Sequence, residues 1–90
     1  MLKFNYMDLL ELDQDTYTAW IPRLQTIEDT AIQQAKQLQK DLPGDSALLE
    51  RYCQEYVFVM INGETLSPAL LNFHEKILGQ FEEALRYGFN

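Results

Sequence analysis

The stretch VFVMINGETLSP, Val57–Pro68, admits two readings: a strand entering an Asn-Gly hairpin, or a helix that stops at glycine before a second one begins. What precedes it decides. Leu48, Tyr52, Tyr56 and Met60 form one i,i+4 row and Leu49, Cys53, Val57 and Ile61 form the next, which is the apolar stripe of a helix. A hairpin would need an alternating strand after Gly63, but only a few residues remain before Ser67-Pro68, an N-cap followed by a proline suited to the first helical position. Gly63 is therefore expected to end one helix in the left-handed conformation, and Ser67 to begin the next.

Upstream, Pro43-Gly44-Asp45-Ser46 joins a breaker, a permissive residue and two capping candidates, and reads as a turn between helices. Before that turn, Leu24, Ile27, Ala31, Ala35, Leu38 and Leu42 step by three and four residues through a polar background, the seam of an amphipathic helix. Pro22 fits near the start of that helix, where its missing amide proton does no harm. Glu28 and Asp29 early, with Lys36 and Lys40 late, agree with the helix dipole.

Downstream, Leu70, Phe73, Ile77, Phe81 and Ala84 form a stripe flanked by Leu71, Leu78 and Leu85, and Gly88 is placed to cap it. At the start of the chain, Asn5 is a candidate cap for a short helix carrying Met7, Leu9, Leu10 and Leu12. The expected fold is all-α: one domain over residues 1–90, a compact antiparallel three- or four-helix bundle with helices at 6–12, 19–42, 46–62 and 68–87. In the third of these, Phe58 and Val59 make the second half apolar nearly all round. That helix is either central or covered by a partner at those two residues.

Composition narrows the function. Ninety residues with 47% apolar and 12% aromatic side chains form one core, and the longest apolar run, Val57 to Ile61, is far too short for a membrane span. The first residues lack the zones of a secretory signal, so a cytoplasmic protein is expected. Fourteen acids against seven Lys and Arg give a formal charge of −7, which argues against direct binding of nucleic acid and would steer the chain toward a basic protein surface.

Cys53 and His74 are the pair from which a thiolate-imidazole site could be built, but packing is the favoured reading of both residues at these positions. No second zinc ligand set, glycine-rich loop or serine-histidine-acid arrangement accompanies them, so neither catalysis nor a cofactor or metal is expected. Asp13-Gln14-Asp15 starts like a calcium loop, yet the glycine and closing glutamate such a loop requires are missing.

Asp8, Glu11, Asp13 and Asp15 form the densest charge on the chain, with Tyr17 and Trp20 close behind. They read as a surface for a basic protein, or alternatively as helix caps on a solvated joint with the two aromatics in the core. The run Ile61-Asn62-Gly63-Glu64 resembles the opening of barstar-type ribonuclease inhibitors. It spans few positions, lies in mid-chain and would be a strand there, against the helical periodicity, so no fold is taken from it.

The function expected is that of a small acidic, non-enzymatic protein-binding domain. Its class would be inhibitor, immunity or anti-defence factor (anti-CRISPR or anti-restriction) of bacterial or phage type, acting on a nuclease or nucleic-acid-binding protein. The alternative is a homodimeric bundle, or a secretion-type chaperone or adaptor, that works through apolar helix faces such as Phe58 and Val59.

Overall fold

The computed structural model describes residues 1–88, and among them it holds three α-helices and no strand. They are α1 (Gln14–Leu38), α2 (Ala47–Asn62) and α3 (Pro68–Tyr87). The all-α bundle read from the periodicity is what forms. The region 57–68 is the end of α2, a turn and the start of α3.

Each start is set by a side chain that accepts from orphan backbone N–H groups. Asp13 accepts from Thr16 N at 2.7 Å, Ser46 from Leu48 N at 3.2 Å and Leu49 N at 3.4 Å, and Ser67 from Leu70 N at 3.3 Å. Asp13 explains one departure from expectation: α1 starts at Gln14 instead of near residue 19, and Pro22 lies in its interior. An interior proline costs about 3 kcal/mol by removing a helical hydrogen bond and crowding the preceding turn. Pro22 is exposed, and the turns before it are anchored by the Asp13 cap and by buried Tyr17. α1 also ends earlier than expected, at Leu38, because Gln39 adopts an extended backbone; Leu42 then reaches the core from the following turn.

The helix expected at 6–12 is a single turn. Asn5 does cap it, its Oδ1 accepting from Met7 N at 2.8 Å, and Leu10 N donates to Tyr6 O at 3.0 Å. Glu11 then turns left-handed, with φ of 54°, while Leu12 N bonds to Met7 O and Glu11 N to Asp8 O. This pattern closes a helix, so the segment stops after one turn.

Gly63 caps α2 in a conformation other than the one expected. Its φ of −56° and ψ of −36° are right-handed, not left-handed. A Cβ there would stand 2.6 Å from the Val59 carbonyl oxygen, so glycine is needed for close approach. Gly88, at the end of α3, does take a positive φ of 85°.

Neighbouring residues fix the topology. Arg51 lies over Phe81, Tyr52 reaches Glu82, and Glu55 and Phe58 meet His74, so α2 and α3 run antiparallel. Ile32 and Lys36 approach Leu49, and Gln39 approaches Ala47 and Leu48, so α1 and α2 do likewise. α2 is the middle helix, as its apolar character requires. Leu49, Tyr52, Cys53 and Val57 are buried against Leu24, Ala31 and Ala35 of α1 and Leu85 of α3. Each fully buried Leu or Val contributes about 1.5–3 kcal/mol of transfer free energy before chain entropy is counted. The molecule is flat, with principal extents of 38 × 33 × 18 Å.

On α3 the core face is rotated from the expected stripe. Ala84 and Leu85 are buried and Leu78 and Phe81 pack beside them, whereas Leu70 and Phe73 are about half exposed, at 51% and 56%. The flank Leu71, Leu78 and Leu85 points inward in their place, with Leu71 approaching Gly63.

Candidate functional site

Three groups of side chains are candidates for function: the acidic segment, the buried polar centre around Glu28, and the α2/α3 groove. Asp8, Glu11, Asp13 and Asp15 are all exposed, spread over the single N-terminal turn and the first residues of α1. Asp13 serves as the α1 cap, and the hydrogen bonding from Thr16 lowers its pKa. Among the described residues no Lys or Arg nitrogen lies within 4.0 Å of a carboxylate oxygen, so none neutralises this segment by direct contact.

The two aromatics near the acids divide. Tyr17 is not part of an exposed surface: it is buried, and its hydroxyl oxygen accepts from Tyr6 N at 3.1 Å. Its place in the helix explains this, since Tyr17, Leu24, Glu28, Ala31 and Ala35 all lie on the buried side of α1. Trp20 is half-buried against the core and carries the Arg23 guanidinium 5.5 Å from its ring centroid.

The residue that the sequence reading missed is Glu28. Expected to complement the helix dipole, it is instead the one charged side chain buried among the described residues, at 1% exposure. Its Oε1 accepts from Lys3 N at 2.8 Å, and its Oε2 from Phe4 N at 3.1 Å and from the Tyr6 hydroxyl at 2.5 Å. Burial first, then the Glu28 carboxylate, raises the Tyr6 pKa well above the tyrosine range, so the phenol stays a donor. This centre fastens residues 3–6 to the middle of α1. The available signal was positional: Glu28 lies one residue from Ile27 and three from Ala31, inside the apolar seam.

Cys53 belongs to the same side of the molecule. It is buried, and its thiol is pushed up to about 12, chiefly by desolvation and further by Glu28, with Lys3 acting in the opposite sense. His74 is elsewhere: Nδ1 lies 2.9 Å from Glu55 Oε2, and its ring centroid is 4.6 Å from that of Phe58 and 5.4 Å from that of Phe73. Glu55 and Phe58 project from α2 roughly opposite to Cys53, so the thiol and the imidazole do not form a pair. A thiol so protonated is a poor nucleophile.

Phe58 and Val59 are both half-buried, and Phe58 lines a groove between α2 and α3 with Leu9, Glu55, His74, Ile77 and Phe81. The groove is open and mixed in character. No group of three or more His, Cys, Asp or Glu is arranged to hold a metal ion among the described residues. No helix among them is long and apolar enough to cross a membrane.

Compared with protein-family models, with curated proteins and with solved structures, the chain matches none, so its function is read from its own residues.

Proposed function

We propose that this chain is a small acidic protein-binding domain of the inhibitor or immunity type, which engages a basic protein through the segment Asp8 to Asp15. The observation that carries the reading is the exposed state of that segment: four carboxylates project from one short stretch of a chain of formal charge −7, and among the described residues no Lys or Arg lies within 4.0 Å of them. Such a surface raises the encounter rate with a positively charged partner and discriminates against acidic ones. Trp20, five residues after Asp15 on α1, supplies a half-buried aromatic of the type enriched at energetically dominant interface positions. A nuclease or nucleic-acid-binding protein has the complementary surface, because it must carry a positive footprint for phosphates.

Asp13 shapes the test. Lysine at that position would remove the helix cap as well as the charge, whereas Asn keeps an acceptor for Thr16 N. The variant is therefore Asp8→Asn, Asp13→Asn and Asp15→Asn together. The tagged chain is used to capture proteins from its native host and eluted in steps of rising salt. The expected result is a basic protein, identified by mass spectrometry, that leaves as salt rises and is not retained by the triple variant of unchanged helicity. A partner that resists salt, or binds the variant equally well, would refute the acidic surface.

A further inference from the structure

We infer that the cavity where the first residues of the chain, α1, the α1/α2 turn and α2 meet is a binding site for a small anionic amphiphile, a short alkyl chain that ends in a carboxylate. The cavity measures about 300 Å³, at the lower end of the ~300–1,000 Å³ usual for small-molecule sites. It is walled by Lys3 from the N-terminal segment, Ile32 and Lys36 from α1, Leu42 and Gly44 from the turn, and Leu49 from α2. Ile32 and Lys36 stand at i and i+4, so they share one side of α1. Leu49 is buried, and Ile32 and Leu42 are half-buried against the same core.

Two constraints hold Lys3 at this wall. Its backbone N–H donates to the Glu28 carboxylate at 2.8 Å, which ties it to the middle of α1. Its ammonium lies against Gly44, where a Cβ would stand 3.1 Å from Nζ, so the lack of a side chain at residue 44 leaves room for the charge. Lys36 brings a second charge from α1. Neither is neutralised by direct contact: among the described residues no Lys or Arg nitrogen lies within 4.0 Å of a carboxylate oxygen, although Asp41 and Asp45 are exposed on the same turn.

The lining selects the ligand. Ile32, Leu42 and Leu49 offer nothing to hydrogen-bond, and the polar side chains are both lysines, which donate and never accept. A sugar, nucleoside or peptide would find no side-chain acceptor there for its own donors. An alkyl chain instead lies against the three aliphatic residues, while its carboxylate takes charge-assisted hydrogen bonds from the two ammonium groups. The charge of −7 lowers the concentration of anions around the molecule, so an anion is retained only where cations converge. Lys3 and Lys36 converge on this cavity, whereas Arg23 and Arg51 lie over aromatic rings.

The test is a titration of the isotope-labelled full chain with sodium octanoate, followed by amide NMR shifts. Saturable shifts are expected at Ile32, Leu42, Gly44 and Leu49, with half-saturation at or below about 1 mM. 1-Octanol keeps the alkyl chain without the charge, and acetate keeps the charge without the chain; each should bind at least about tenfold more weakly. Lys3→Gln and Lys36→Gln change exposed side chains, and the first leaves the backbone bond to Glu28 in place. Each should therefore weaken octanoate binding at least about tenfold with the helical circular dichroism unchanged. No saturable shift at those four residues by about 10 mM, or shifts centred on another apolar surface such as Leu70 and Phe73, would overturn the proposal. So would octanol binding as tightly as octanoate, or glutamine variants that bind octanoate as the wild type does.

Discussion

Replacing Glu28 tests how one buried carboxylate holds the start of the chain. Glu28→Ala leaves the Lys3 and Phe4 amides and the Tyr6 hydroxyl without their acceptor, and a stranded buried donor costs about 1–3 kcal/mol. The amide of Lys3 lies near solvent and can be rehydrated, so the expected loss is about 3–5 kcal/mol, the scale of breaking a buried polar network. Glu28→Gln retains one acceptor oxygen. Turned toward Phe4 and Tyr6, it satisfies two donors and sets its NH2 against the Lys3 amide, so about 1–3 kcal/mol should be lost. Urea denaturation at constant m-value measures both. A loss below about 1 kcal/mol for Glu28→Ala would mean that residues 3–6 are held by packing alone. The position shows why this site was hidden in the sequence: periodicity marks which side of a helix is buried, but a glutamate there becomes structural only when a remote segment brings donors to it.

At the scale of elements, spacing carried most of the fold and failed where a single backbone group decided the outcome. The paired rows of α2 and the Ser67-Pro68 start of α3 could be read directly, because each combines a periodic stripe with a cap. The start of α1 could not, because Asp13 and Pro22 are competing signals. The cap won, since the cost of Pro22 is borne by a long helix with a packed inner face. The turn at 7–11 was lost for a similar reason, the left-handed Glu11 being invisible in a composition that suits a helix. On α3 the apolar residues outnumber the core positions, and periodicity gave two stripes without saying which would face α2. The same limit applied to the acidic segment: the sequence left Tyr17 and Trp20 open between surface and core, and the phase of α1, which puts Tyr17 in line with Leu24, Glu28, Ala31 and Ala35, decides it for Tyr17.

The Asp13 cap has a testable pH dependence. Its pKa is lowered by the Thr16 hydrogen bond from a reference value of 3.8, so the native state binds its proton less readily than the unfolded chain. The resulting stabilisation is fully present above the unfolded pKa and is lost as pH falls through the lower folded value. Asp13→Asn keeps an acceptor but does not titrate. Wild type should exceed it in stability at neutral pH, and the gap should close as pH is taken from about 5 to about 3. Urea midpoints of the two proteins across that range measure it. A gap independent of pH would show that the charge of Asp13 is not what starts α1.

For the whole molecule, the balance of charge sets the sign of the response to salt. Fourteen acids face seven Lys and Arg, and among the described residues no Lys or Arg nitrogen lies within 4.0 Å of a carboxylate oxygen. Two of the arginines lie instead over aromatic rings, Arg23 over Trp20 and Arg51 over Phe81, where they shield apolar surface but neutralise no carboxylate. Folding thus gathers net negative charge into a slab 18 Å thick with few attractive pairs to offset it. The unfolded chain spreads the same charges farther apart, so repulsion disfavours the native state, and screening should remove the penalty. The urea midpoint at neutral pH should therefore rise when sodium chloride is increased from about 10 mM to about 300 mM, over which the screening length falls from about 30 Å to below 8 Å. Most of the gain should come below about 150 mM, where screening acts, whereas a solvation effect of the salt would grow steadily with concentration. Neutralising Asp8, Asp13 and Asp15 together should flatten the curve, because those charges supply much of the local repulsion while contributing little to packing. A midpoint that falls with salt would require attractive ion pairs to outweigh the net charge. It would also undercut the proposed basic partner, since the segment offered to that partner would already be neutralised from within the chain.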